Sequence, residues 1–107
     1  MPAYAIAHLR SVDFNDEIVE YIARIDATLE PFGGRFLVHG TTPTVMEGPF
    51  PGALVMIEFP DRAAADAWWA SDDYQAILPL RTENSDSVAI IVDGVPPGYR
   101  AASFVGR

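Results

Sequence analysis

Two hydrophobic rhythms alternate along the chain. Over residues 3–10 the period is two. Tyr4, Ile6 and His8 fall on one face of an extended segment, and Ala5, Ala7 and Leu9 on the other. Over residues 16–30 the period becomes helical, with Ile18, Tyr21, Ile22, Ile25 and Leu29 in one stripe. Asn15 is a good N-cap, Asp16 and Glu17 suit the first turn, and Pro31 with Gly33-Gly34 ends the helix. The extended rhythm returns over residues 35–41, placing Phe36 and Val38 on one face and Arg35, Leu37 and His39 on the other. Residues 42–52 hold three Pro and two Gly and read as a bent edge or long connection. Residues 53–59 form the most apolar strand. Asp61 then caps a helix through residue 70, and Ser71 opens a short one over residues 73–78. Pro79 is hostile to its continuation. Residues 87–93 make a fourth strand.

The order β-α-β-β-α-β predicts an α+β, ferredoxin-like sandwich with sheet order 4-1-3-2 and both helices on one face. Residues 1–94 form this domain. Residues 95–107 are a tail whose Tyr99, Phe104 and Val105 are its only anchors, and it is expected to pack on a partner subunit. The helix side of the sheet is assigned Ala5, Ala7, Leu9, Phe36, Val38, Val55, Ile57 and Phe59. The bare side is then Tyr4, Ile6, Leu37, Leu54, Met56 and Ile91. An apolar face of that size is not stable in water alone. Its burial is worth roughly 25 cal/mol per Å², so a homodimer packed sheet against sheet about a two-fold axis is expected.

Charge and composition narrow the partners. Seven basic and fifteen acidic residues give a net charge of −8, and every basic residue is Arg. That balance argues against nucleic acid and against anionic membranes. With no Lys there is no Schiff base, and with no Cys there are no disulfides or thiolate-metal sites. No apolar run reaches the roughly 18–20 residues that span a bilayer. The N-terminal residues do not read as a signal peptide. A cytoplasmic protein without a cofactor or metal is the expectation.

Candidate chemistry gathers at the strand ends. His8 and His39 fall toward the same end of the sheet, one strand apart, and either imidazole suits acid–base work near neutral pH. Arg35 offers a donor fork for an anionic oxygen. Met56, Glu58, Trp69 and Tyr74 are the candidate ligand contacts, one of the adjacent pair Trp68-Trp69 having to face the core. Each has a plainer reading: both His as rim residues with local hydrogen bonds, the aromatics as packing. A two-His-one-carboxylate set from His8, His39 and Glu47 has no compact spacing to support it. No nucleophile elbow, phosphate loop, dinucleotide fingerprint or zinc-protease motif is present.

Tyr4-Ala5-Ile6, Asp13, Tyr21, Gly33-Gly34-Arg35-Phe36-Leu37, Glu47-Gly48 and Glu58-Phe59-Pro60 occur in order. So do the Ala-rich run into Trp69, Ser71-x-x-Tyr74 and Arg81. Together, over residues 2–94, they resemble the bacterial family called domain of unknown function 1330. The resemblance implies the dimeric α+β barrel superfamily, which includes cofactor-independent monooxygenases, muconolactone isomerase-like enzymes, polyketide cyclases, haem-binding peroxidases and non-catalytic ligand-binding domains. It carries no catalytic residue across. Where the family often has Arg, this chain has His39. The expected function is a homodimer that binds a compact aromatic or polyketide-like molecule. As an enzyme it would be a cofactor-free isomerase, cyclase or monooxygenase using His8 or His39, with Arg35 orienting an anionic oxygen. The alternative is a non-catalytic ligand-binding or accessory domain.

Overall fold

The computed structural model of the chain describes residues 1–106. Strand β1 spans Ala3–Val12, helix α1 Asp16–Leu29, β2 Arg35–Thr41, β3 Ala53–Phe59, α2 Arg62–Ala70, α3 Asp72–Thr82 and β4 Ser85–Asp93. The strands form one antiparallel sheet in the order β2-β3-β1-β4, the ferredoxin-like arrangement. The helices cover one face. Ala3, Ala5, Ile57 and Phe59 of the sheet close a core with Ile25, Leu29, Trp68, Tyr74 and Ile77 of the helices.

Local chemistry explains the helix ends. Asn15 Oδ1 accepts the backbone N–H of Glu17 at 3.0 Å and of Ile18 at 3.1 Å, satisfying two donors that the first turn of α1 cannot. Asp61 and Ser71 accept the backbone N–H groups of Ala64 and Tyr74 in the same way. Helix α3 runs on through Pro79, contrary to the expected stop. A proline removes one hydrogen bond, here to the carbonyl of Gln75, which lies on the exposed side where water can take it. Burial of Tyr74, Ile77 and Arg81 on the other side of α3 holds the helix together.

Two corrections concern which side of the sheet residues face. Along β2, Phe36 pairs with Ile57, Val38 with Met56, His39 with Val55 and Thr41 with Leu54. Leu37 and Gly40 are therefore extra residues, each a bulge that reverses the alternation. Phe36 and His39 both face the helices, and Val38 faces away. Gly40 has φ +69°, a conformation suited to glycine. Along β4, Ile91 pairs with Ala5 and faces the helices, whereas Val88, Ile90 and Val92 pair with His8, Ile6 and Tyr4 on the bare face. That face also carries Met56 and Leu54. Val88, Ile90, Val92 and Leu37 are all exposed.

The tail after Gly94 ends in a 3-10 turn over Ala101–Val105. Tyr99, Phe104 and Val105 do not anchor it within the subunit, Phe104 being 84% exposed. No helix among the described residues is long and apolar enough to cross a membrane.

Candidate functional site

A cavity of about 280 Å³ lies between α1 and the sheet, at the lower end of small-molecule sites (~300–1,000 Å³). Its origin is readable in residue size. Ala5, Ala7, Ala53 and Ala89 face the helices beneath the middle of α1 and leave space, while Phe59, Ile57 and Trp68 fill the opposite end. Phe14 and Ile22, both exposed, border its mouth.

The cavity wall is nearly all apolar, and its few polar groups are specific. Tyr74 is held by the Trp68 ring at 4.1 Å and the Trp69 ring at 5.3 Å between centroids. Its hydroxyl is 2.8 Å from that of Tyr21 on α1. Burial, followed by the neighbouring Tyr74, pushes the Tyr21 phenol well above its ordinary pKa, so it stays protonated. Arg81, in the last turn of α3, is 7% exposed. Its Nη1 donates to Ser87 Oγ at 2.7 Å, and its guanidinium lies 5.8 Å from the centre of the Tyr21 ring. Ser87 is itself 3.0 Å from Ser85 Oγ. His39 reaches the wall from β2, edge-on to Phe36 at 4.9 Å.

The candidates read from the sequence divide between the two sides of the sheet. His39, Trp69 and Tyr74 line the cavity. His8, Arg35, Met56 and Glu58 are on the bare face. His8 Nε2 hydrogen-bonds the Pro51 carbonyl at 2.6 Å, and its ring stacks on Phe50 at 3.9 Å. Arg35, whose side chain is 69% exposed, pairs with Glu58 at 2.8 Å. The two imidazoles therefore share an end of the sheet but not a face, because of the bulge at Leu37. The set His8, His39 and Glu47 does not assemble, and no group of three or more potential metal-ligating side chains occurs among the described residues.

Two of the cavity's polar groups are not among those candidates. Tyr21 looks like one more member of the α1 stripe, and Arg81 like a basic residue complementing the end of a helix. The signal for Arg81 is its spacing. It stands seven residues after Tyr74 and four after Ile77, so all three share one face of α3, and all three are buried.

Comparison with known proteins supports the fold. The model of the family described as domain of unknown function (DUF1330) matches residues 2–95. No curated protein matches. Among solved structures, a dimeric ferredoxin-like protein of unknown function from Jannaschia sp. CCS1 superposes with a TM-score of 0.69 at 15% identity, covering 88% of this chain and 100% of that one. A second dimeric ferredoxin-like protein of unknown function, from Thermobifida fusca, gives 0.62 at 16% identity, with 88% and 92% covered. A structure described as an antibiotic biosynthesis monooxygenase gives 0.52 at 21% identity, with 90% and 100% covered. At these identities the likeness is one of fold.

Proposed function

Because the chain belongs to the DUF1330 family, which brings a fold but no activity, its role has to be argued from the cavity, and we propose a cytoplasmic homodimer that binds a compact aromatic or polyketide-like molecule between α1 and the sheet. The observation that carries this reading is an apolar cavity of about 280 Å³ with a few convergent polar groups, left by alanines where a core would place larger side chains. The bare sheet face supports the dimer, as do two fold neighbours described as dimeric. The exposed Tyr99, Phe104 and Val105 of the tail are assigned to the partner's surface. Absence of Cys fits a reducing compartment.

Saturable binding of the neutral fluorescent probe N-phenyl-1-naphthylamine tests the cavity. One site per subunit is expected, and Ala89→Leu, which puts three carbons into the space, is expected to weaken binding about tenfold or more while the melting temperature holds. Equal binding by the variant, or no saturation in the wild type, overturns the assignment.

A catalytic form of this reading rests on His39, the imidazole on the cavity wall. Cofactor-free isomerisation, cyclisation or monooxygenation is the chemistry it suits, the last being the class named for one fold neighbour. The non-catalytic form rests on the remainder of the wall, which is mostly apolar apart from Tyr21, Tyr74 and Arg81. The two part on His39→Ala, with bound compounds recovered after incubation in air and identified by chromatographic retention as well as mass, since an isomer keeps its mass. Catalysis expects the wild type to convert a compound that the variant returns unchanged. A binding domain returns it unchanged from both.

A further inference from the structure

The reading of the cavity as a ligand site does not say what charge the ligand carries, and Arg81 bears on that. Arg10, Arg24, Arg35 and Arg62 each hold a carboxylate oxygen within 3.4 Å, and each has a side chain at least 42% exposed. Arg81 reverses both properties. It is 7% exposed and takes part in no ion pair among the described residues. Carboxylates are not scarce, since the chain has fifteen acidic residues. A permanent cation buried without a carboxylate is held here by Ser87, the Tyr21 ring and the end of α3, none of which neutralises its charge.

Arg81 has donors to spare. A guanidinium carries five N–H donors. Ser87 takes one from Nη1. Arg81 lines the cavity, and none of its spare nitrogens is both enclosed and without a partner, so these donors remain open to a ligand. The tyrosine pair adds another. Tyr21 and Tyr74 share one hydrogen bond at 2.8 Å, so whichever hydroxyl accepts keeps its own proton to give to a third oxygen. Burial keeps Tyr21 protonated and hence able to donate.

We propose that the cavity is a receptor for a compact monoanion, its carboxylate or enolate oxygen held by Arg81 and a hydroxyl of the Tyr21–Tyr74 pair and its apolar body laid against the alanine floor. The single cation sets the charge. A dianion such as a phosphate monoester would bring a second charge, and no second permanent cation lies on the cavity wall among the described residues. The walls set the rest, since Arg81, Tyr21 and Tyr74 cluster together and most of the remaining wall is apolar. This inference rests on the cavity being a ligand site, and its test separates the two.

Displacement of N-phenyl-1-naphthylamine by trans-cinnamate and by trans-cinnamamide at pH 7 compares one shape with and without the charge. The wild type is expected to bind cinnamate about tenfold or more tighter than the amide, a charge-assisted bidentate bond against a neutral one. In Arg81→Met, which keeps the length of the stem, the two should bind alike. In Arg81→Lys the preference should persist in weaker form. Circular dichroism should show that ligand-free Arg81→Met keeps the fold, and where it does not, Arg81→Lys carries the comparison. A wild type that binds acid and amide equally overturns the monoanion and leaves the cavity reading standing. So does a folded Arg81→Met protein that keeps the preference. A wild type that binds neither compound nor the naphthylamine removes both readings.

Discussion

Replacing Ile90 by Asp is expected to convert a dimer into a monomer. Ile90 lies in the middle of β4 opposite Ile6 on the bare face of the sheet, 49% exposed in the single subunit. Around it are Val88, Val92, Met56 and Leu54, so the position falls inside the apolar patch and not at its rim. In a two-fold interface every substitution is made twice. Losing the burial of two isoleucines costs about 3–6 kcal/mol at 1.5–3 kcal/mol each. At 1.4 kcal/mol per decade that weakens the dimer roughly 10²–10⁴-fold. The introduced carboxylates add to the effect, since each subunit already carries −8. Sedimentation at micromolar concentration should show a wild-type dimer, an Ile90→Val dimer and an Ile90→Asp monomer. The far-UV spectrum should be unchanged, because Ile90 points away from the core that holds the helices. A wild-type monomer under those conditions, or an Asp variant that stays dimeric, removes the sheet-to-sheet interface.

Element order was legible because each element has its own period. The facing of residues within the sheet was less legible, because the strands are apolar at both parities. In β1 the sequence allows either Ala5 and Ala7 or Tyr4 and Ile6 to face the helices, and the pairings agree with the first. In β4 the run Ala89-Ile90-Ile91-Val92 is apolar at both parities. Only its pairing with β1 decides that Ile90 is on the bare face and Ile91 on the core side. In β2 the alternation is broken by extra residues at Leu37 and Gly40, and counting by twos carries His39 to the wrong side. The glycine at position 40 marks one bulge, but nothing in the sequence marks the other.

The same physics explains what was missed in the cavity. Arg35 and Glu58 stand opposite each other across β2 and β3 and satisfy one another at the surface. A charged residue with a ready partner binds little else. Arg81 matters for the converse reason, and a missing partner is a property of the folded chain, not of any local pattern. The cavity was foreshadowed by the small residues at Ala5, Ala7, Ala53 and Ala89. Their meaning appears only once three strands bring them together under α1.

Trp68→Ala is expected to be the most destabilising single change in the chain. Trp68 is 2% exposed and among the largest side chains fully enclosed by the core. Its ring meets Phe59 of β3 at 5.3 Å and Tyr74 of α3 at 4.1 Å between centroids. Its Nε1 donates to Thr28 Oγ1 of α1 at 3.0 Å. One side chain thus ties the sheet to both other helices. Truncation of a buried Trp to Ala costs about 3–5 kcal/mol, partly as lost transfer energy and partly as the void left behind. A domain of this size has roughly 5–15 kcal/mol in total. Trp68→Phe should cost less, about 1–2 kcal/mol, since it keeps most of the ring contacts and loses one hydrogen bond. Thr28 is not orphaned by either change, because its own hydroxyl donates to the Ile25 carbonyl at 2.7 Å. Urea unfolding followed by circular dichroism, at one protein concentration so that subunit association is held constant, should place the midpoints in the order wild type, Trp68→Phe, Trp68→Ala. The same ring braces Tyr74, and Tyr74 presents its hydroxyl to Tyr21. Trp68→Phe should therefore also loosen probe binding while the fold survives, and an alanine variant with the wild-type midpoint would mean that the core is not organised around this residue.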